Sequence, residues 1–313
     1  MKKYSIGVDI GGTTVKIGLF KSEGKLIKKW EIPTDKNENG THILDDISKS
    51  IDSVLSEEGI NKNDVHGIGL GVPGPVKSNG VVVKCVNLGW GIFNVEDALS
   101  EKTGLKVKAA NDANIAALGE AWQGGGKGYD NMVMVTLGTG VGGGVIIDGK
   151  ILPGVNGAAG EIGHIKVSHE ETEVCGCGKT GCLEQYASAT GIVRCAKKKI
   201  KETDISSALR DIEEVTAKDI FDKAKEGDKL ALSVVDDFGK ILGTSLSHIS
   251  CVCDPEVFVI GGGVSKAGEI IINKIVDHYK ESAFHASRNA KFELALLGND
   301  AGIYGGAKLC QQI

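Results

Sequence analysis

One pattern occurs twice in this chain, once near the start of each half. "YSIGVDIGGTTVKIGLF" (residues 4–20) has the pattern of a strand, a glycine turn and a second strand. "NMVMVTLGTGVGGGVIIDGK" (residues 131–150) repeats that order. The repeat predicts two halves of similar architecture, as after an ancient duplication. Strands are mixed with helical segments in both halves, so we predict an α/β protein.

The two halves are expected to be separate domains, because 313 residues are too many for one small core. "QGGGKGYDN" (residues 123–131) breaks the pattern and is a plausible hinge. We therefore expect an N-terminal domain of residues 1–122, joined by about 300–313. The C-terminal domain is predicted to span residues 123–299 and to carry a cysteine-rich loop.

Charge and hydropathy exclude several classes of protein. The net charge of −5 provides no basic field for nucleic acid or an anionic membrane. Apolar runs stay below the roughly 18 residues that a membrane helix needs. Asp9 and its neighbouring glycines interrupt the N-terminal apolar stretch, which argues against a signal peptide. We expect a cytoplasmic protein whose thiols stay reduced.

Two glycine turns are candidates for binding phosphate. "GTGVGG" (residues 138–143) matches G-x-G-x-x-G, but a strand follows it where the dinucleotide fingerprint needs a helix. Backbone N–H groups of such turns can still hold an anion, and two ordinary hairpins are the alternative. Because each half carries one such turn, we favour phosphate binding. The residues are Asp9, Gly11, Gly12 and Thr13 in the first turn and Gly138, Thr139 and Gly140 in the second.

Three cysteines within eight residues suggest a metal site. In a reducing compartment Cys175, Cys177 and Cys182 form no disulfide framework, and their spacing is not that of a C-x-x-C redox pair. With one histidine they would make a closed tetrahedral set for structural Zn²⁺. His164 and His169 both compete as the fourth ligand, and three unrelated cysteines are the alternative.

Two aspartates are candidates for phosphoryl-transfer chemistry. Asp112 follows the apolar strand "KVKAA" at its carboxyl end, where α/β proteins place their sites. From the residues alone, capping of the next helix by "ND" is the simpler interpretation. Asp9 faces a predicted phosphate turn, so a cation should lie between carboxylate and phosphate, and Mg²⁺ carried by ATP is the natural candidate.

Several short motifs together resemble a known family. "DIGGTTVK", "LGTGVGGG" and "VIGGGVS" resemble the phosphate and adenosine motifs of sugar kinases with the actin/hexokinase-like (ribonuclease H-like) fold. "GVPGPV", "NDAN", "GAAGEIGH" and "CGCGKTGCLE" narrow the resemblance to the ROK family of bacterial sugar kinases and sugar-responsive repressors. It spans nearly the whole chain and implies two domains with a cleft that closes on substrate.

The resemblance implies roles for particular residues. Asp112 aligns with the family's catalytic base, Asp9 with its magnesium residue, which binds the ion partly through water, and His164 with its zinc-binding histidine. The zinc loop is then expected to shape the sugar pocket without taking part in the chemistry. The implied sugar contacts are Gly74, Asn87, Asn111, Asp112, Glu161, His164 and Glu184. The implied nucleotide contacts are Asp9, Gly11, Gly12, Thr13, Thr14, Lys16, Gly138, Thr139, Gly140, Gly261, Gly262 and Gly263.

The implied activity is ATP-dependent phosphorylation of glucose at its 6-hydroxyl. "CLEQYASATGIVR" (residues 182–194) looks most like the glucose kinases of Gram-positive bacteria. A kinase for N-acetylmannosamine, fructose or allose is the alternative, and a repressor lacking its DNA-binding domain is a distant one. The residues leave ATP or polyphosphate open as the donor. Homodimers are usual in the family, so a homodimer is expected.

Overall fold

The computed structural model describes residues 2–83 and 85–312. The strands are β1 (Tyr4–Ile10), β2 (Thr14–Lys21), β3 (Leu26–Pro33), β4 (Val65–Val72), β5 (Val81–Val82), β6 (Phe93–Asn94), β7 (Val107–Asn111), β8 (Met132–Leu137), β9 (Val141–Ile147), β10 (Lys150–Ile151), β11 (Val257–Gly261) and β12 (Lys291–Leu294). The helices are α1 (Ile43–Glu57), α2 (Val95–Thr103), α3 (Asp112–Gln123), α4 (Glu184–Ala187), α5 (Ala189–Glu202), α6 (Ala217–Lys225), α7 (Lys229–Cys253), α8 (Glu269–Ser282) and α9 (Ala301–Leu309).

The chain forms two compact units. The first contains Met1–Asp130, Gly144–Gly160 and Leu297–Ile313, and the second contains Asn131–Gly143 and Glu161–Leu296. The first division falls inside the predicted hinge, between Asp130 and Asn131. Residues 144–160 belong to the first unit, which the sequence did not predict.

The first unit is built on a five-stranded sheet of order β3-β2-β1-β4-β7. β1 and β2 are antiparallel around the predicted glycine turn, with Asp9 paired to Lys16. β4 is parallel to β1 and to β7. The carboxyl ends of β1, β4 and β7 therefore lie at the same edge of the sheet, which is where α/β proteins bind ligands.

Glycines allow α9 to pack directly on this sheet. A Cβ on Gly69 in β4 would lie 1.8 Å from the carbonyl oxygen of Gly306 in α9. A Cβ on Gly305 would lie 1.6 Å from the carbonyl oxygen of Ile115 in α3. No side chain fits at these positions, so α3, which begins at Asp112, is held closely against α9.

Helix α1 packs an apolar stripe against the core, and its N-terminus has no side-chain cap among the described residues. The N-cap residue is His42. Thr41 already has helical angles, φ −62° and ψ −27°, because a 3-10 turn leads into it. Threonine is a residue type favoured at helix N-caps, but Thr41 does not cap α1. Gly59, with φ +64°, follows the end of the helix.

The second sheet has the order β10-β9-β8-β11-β12. β11 is parallel to β8 and to β12, with Gly261 paired to Thr136. A Cβ on Gly262, which has φ +85°, would lie 2.4 Å from the carbonyl oxygen of Leu137. The glycine turns after β8 and β11 therefore meet at one edge of this sheet. Within the described part of the chain, no helix combines the length and apolarity needed to cross a membrane.

Candidate active site

Asn111 and Asp112 stand at the junction of β7 and α3. Asn111 is the N-cap of α3, and its Oδ1 accepts hydrogen bonds from the N–H groups of Ala113 (2.9 Å) and Asn114 (3.3 Å). Its Nδ2 donates to the carbonyl oxygen of Gly74 at 3.4 Å. Capping is thus the role of Asn111, and Asp112 is the first helical residue. Asn111, Asp112 and Gly74 thus lie together at this end of the sheet.

Asp9 lies at the carboxyl end of β1 in the same unit. Burial and the negative charge of Asp112 raise the pKa of Asp9 from 3.8 to about 6, although Lys16 acts in the opposite direction. Two carboxylates that interact in this way favour a cation between or beside them. Asp9 also packs closely on α9, because a Cβ on Gly302 would lie 2.4 Å from its Oδ2.

The first predicted phosphate turn is closed by its own backbone and by Thr34, which follows β3. Gly11 N–H donates to the carbonyl oxygen of Thr14 at 3.0 Å. Thr34 donates its N–H to the carbonyl oxygen of Thr13 and its hydroxyl to that of Gly11. Gly12 and Thr13 are exposed, so the turn presents its tip to solvent. Lys16 instead donates to the carbonyl oxygen of Asn299 at 3.1 Å.

Asn87 is exposed and sits in a turn that Cys85 fastens to the end of β4. Cys85 Sγ donates to the carbonyl oxygen of Pro73 at 3.0 Å, next to Gly74. Burial raises the pKa of the Cys85 thiol. Cys85 is far from the other cysteines in the sequence, and only the fold shows that it links the turns carrying Asn87 and Gly74.

The predicted nucleotide turns of the second unit line one cavity of about 560 Å³. Gly138 and Thr139 contribute from the turn after β8, and Gly263 contributes from the turn after β11. The opposite wall comes from α6 and the residue before it, which sequence reasoning missed. Nothing in that segment resembles a nucleotide motif. The missed residues are Thr216, Ala217, Lys218, Phe221 and Asp222.

His164, Cys175, Cys177 and Cys182 form the predicted cluster. Their donor atoms all lie within 4.8 Å of one another. Cys177 Sγ is 3.6 Å from Cys182 Sγ, and Cys175 Sγ is 3.9 Å from His164 Nδ1. His169 is not part of this cluster of described residues. Of the two candidate histidines, the structure thus places His164 in the position of the fourth ligand.

The chemistry of these donors fits Zn²⁺. Burial and the adjoining thiols raise the pKa of Cys182 to about 12, so this thiol resists ionisation as long as no cation joins it. A hydrogen bond from the backbone of Lys179 lowers the pKa of Cys177. A bound Zn²⁺ would remove that resistance by drawing three thiolates and one imidazole around it. Gly178, with φ +83°, gives the loop its tight turn between Cys177 and Cys182.

Glu184 lies between this cluster and the second predicted phosphate turn, which joins β8 to β9. Its Oε1 is 3.7 Å from Cys175 Sγ, and its Oε2 accepts a hydrogen bond from Val141 N–H at 3.0 Å. Gly163, which lies between Glu161 and His164 in the chain, also packs on Val141. A Cβ on Gly163 would lie 2.1 Å from the carbonyl oxygen of Val141. The second unit therefore places Glu184 and the short helical turn Ile162–His164 against the start of β9, and Glu161 directly precedes that turn.

The chain matches the model of the ROK family over residues 5–313. It belongs to the ROK family. It is 47% identical to the glucokinase of Halalkalibacterium halodurans, over 99% of this chain and 96% of that protein. Among ROK structures, a glucokinase from Streptomyces griseus in complex with glucose and AMPPNP superposes with a TM-score of 0.73. The two share 33% identity, over 99% of this chain and all of that one.

A second ROK structure, a hexokinase from Thermus thermophilus, superposes with a TM-score of 0.80 at 30% identity. That match covers 97% of this chain and 96% of the hexokinase. The predicted α/β class and actin/hexokinase-like fold are confirmed.

Proposed function

We propose that this protein is a glucokinase, which transfers the γ-phosphoryl group of ATP to the 6-hydroxyl of glucose. The observation that carries the proposal is the position of Asp112. It stands at the carboxyl end of β7, relieved of capping by Asn111 and close enough to Asp9 to affect its pKa. The similarity to the H. halodurans glucokinase supports the reaction, and the S. griseus complex with glucose and AMPPNP supports both substrates.

Asp112 acts as the general base in this proposal. A sugar hydroxyl is a weak nucleophile, so its proton must be accepted as the oxygen attacks the γ-phosphorus. Asp112 is the first residue of α3, where the helix dipole favours negative charge. Ala113 N–H donates to its Oδ1 at 2.8 Å and restrains its direction.

Asp9 would hold Mg²⁺, in part through water. Burial and the charge of Asp112 raise the pKa of Asp9, and Lys16 offsets them only partly, so a cation beside this carboxylate would favour its ionised form. Magnesium bound to ATP would supply that positive charge and neutralise the phosphate oxygens. Backbone N–H groups of glycine turns such as those after β1 and β8 can each bind phosphate oxygens. The cavity against α6 would hold the adenosine.

Polar groups in each unit are candidates for hydrogen bonds to the sugar hydroxyls. Gly74, Asn87, Asn111 and Asp112 belong to the first unit, and Glu161, His164 and Glu184 belong to the second. Carboxylates are strong acceptors for hydroxyl groups, so the set suits a polyol. The cysteine cluster would hold a structural Zn²⁺ through His164 Nδ1, leaving His164 Nε2 to contact a sugar hydroxyl.

A coupled assay across a panel of sugars tests the proposal. Glucose should have the highest kcat/KM, with N-acetylmannosamine, fructose and allose well behind. A pocket that pairs several hydroxyls rejects analogues that leave those groups unpaired. ATP should serve as the donor in place of polyphosphate. If another sugar outperforms glucose, the glucokinase assignment is wrong, although the kinase assignment stands. The homodimer and the cytoplasmic location remain predictions.

A further inference from the structure

The turn between β8 and β9 is fastened by three groups from the segment Glu184–Thr190. Ala189 N–H donates to the carbonyl oxygen of Gly138 at 2.8 Å. The Thr190 hydroxyl donates to the carbonyl oxygen of Thr139 at 3.0 Å. Glu184 Oε2 accepts from Val141 N–H at 3.0 Å. The chain from Gly138 to Val141 contains three successive peptide groups. Each of them therefore has its C=O or its N–H hydrogen-bonded to this segment.

These bonds decide where the remaining N–H groups point. In a planar trans peptide the C=O and N–H bonds point in opposite directions. Fixing the carbonyl of Thr139 toward Thr190 therefore turns Gly140 N–H away from α5. Likewise, the hydrogen bond from Ala189 N–H to the Gly138 carbonyl turns Thr139 N–H away from α5. Among residues 2–83 and 85–312, these two N–H groups have no hydrogen-bond partner, so both can serve an anion.

A relay of hydroxyl groups fixes the direction of the Thr190 hydroxyl. Ser188 is the N-cap of α5, and its Oγ accepts a hydrogen bond from Gly191 N–H at 3.0 Å. Ser188 Oγ lies 3.0 Å from Thr190 Oγ1. Each hydroxyl has one proton. With Thr190 donating to Thr139, Ser188 must donate to Thr190, and the relay has one consistent direction.

We propose that Thr190 is a positioning residue for the nucleotide phosphates. Through the carbonyl of Thr139 it orients Gly140 N–H toward the phosphate group of ATP. The inference rests on the proposed function and adds to it a residue outside the predicted nucleotide set. Among the three fastening groups, Thr190 is the best one to test. Ala189 acts through its backbone, and Glu184 has a proposed role at the sugar.

The experiment compares Thr190→Val with Thr190→Ser. Valine has nearly the shape of threonine and lacks the hydroxyl, whereas serine keeps it. Binding of Mg²⁺–AMPPNP to the full-length protein is measured by titration calorimetry without sugar. Loss of one hydrogen bond should weaken binding about threefold to tenfold in Thr190→Val, and Thr190→Ser should stay within about twofold of wild type. Thr190 is exposed, so the melting temperature should change little.

Glucose binding is the second readout, because a purely structural defect would affect both ligands. Thr190→Val should bind glucose as wild type does. Unchanged affinity for Mg²⁺–AMPPNP, or equal weakening for glucose and nucleotide, would overturn the inference. Thr190→Ala removes the hydroxyl without adding a methyl group, so it serves if the valine variant fails to fold. A wild-type protein that binds Mg²⁺–AMPPNP but does not phosphorylate glucose would remove the proposed function alone.

Discussion

The carboxylate of Glu184 accepts a hydrogen bond from the backbone N–H of Val141 at 3.0 Å. Val141 begins β9, directly after the turn predicted to bind phosphate. The other carboxylate oxygen lies 3.7 Å from Cys175 Sγ. One side chain thus contacts both the cysteine loop and the residue that follows the predicted phosphate turn. The motif "CGCGKTGCLE" therefore has a structural reason for ending on a glutamate.

Glu184→Ala should raise the KM for glucose about tenfold or more. A hydrogen bond to a charged group contributes about 1.5–3 kcal/mol, and that range corresponds to such a change in affinity. Glu184→Gln keeps an acceptor for Val141 N–H while removing the charge, so it should have a smaller effect. Steady-state kinetics with varied glucose measures both variants. An unchanged KM for glucose in Glu184→Ala would exclude this residue from the sugar site.

Cys177→Ser should lower both zinc content and stability. Wild-type protein is expected to hold about one zinc per chain, since a Cys₃His set saturates the tetrahedral ion. Because metal binding is coupled to folding of the loop, the melting temperature should fall by roughly 5 °C or more. Cys177 is exposed, so little packing is lost with its sulfur.

Cys251→Ser is the matched control for the metal experiment. Cys251 is also exposed and lies outside the cluster. This variant should keep its zinc, measured by elemental analysis, and its melting temperature. Metal-free wild-type protein with full activity would contradict the role given to the cysteine loop.

Asp9→Asn should stabilise the folded protein at neutral pH in the absence of added Mg²⁺. The folded protein binds the Asp9 proton more tightly than the unfolded chain, because the pKa rises from 3.8 to about 6. The contribution of Asp9 to stability is therefore greatest below pH 4 and falls as the pH rises to about 6. Asparagine does not ionise, so Asp9→Asn removes this pH-dependent loss of stability, which is at most about 3 kcal/mol.

Thermal melts at pH 4 and pH 7.5 measure the effect of Asp9→Asn. The variant should gain stability over wild type at pH 7.5 and lose that advantage near pH 4. Asp204→Asn, at an exposed aspartate, is the control and should show no such dependence. An Asp9→Asn protein less stable than wild type at pH 7.5 would contradict this prediction, because it would show that positive charge already stabilises the ionised Asp9 carboxylate.

The parts of the site that the sequence predicted are those whose residues are close together in the chain. The two glycine turns and the three cysteines are short segments whose geometry follows from local spacing. The choice between His164 and His169 needed the fold or the family resemblance, because both lie near the cysteines in sequence. The structure settled it by placing His164 Nδ1 beside Cys175.

Other features depended on tertiary packing and could not be predicted. "ND" can cap a helix through either residue, and only the backbone shows that Asn111 does so. The cavity wall from α6 and the hydroxyl of Thr190 come from segments that carry no phosphate motif. Thr41 has a side chain suited to capping, but the preceding 3-10 turn gives it helical angles.

Asp112→Asn tests the central claim most directly. The substitution preserves the shape of the side chain and removes the base, so kcat for glucose should fall at least about 10²-fold. Glucose binding, measured by calorimetry, should be largely retained, because the amide still hydrogen-bonds a hydroxyl. A large loss of kcat with retained binding is the result that we predict. An Asp112→Asn enzyme with nearly normal kcat would contradict the account.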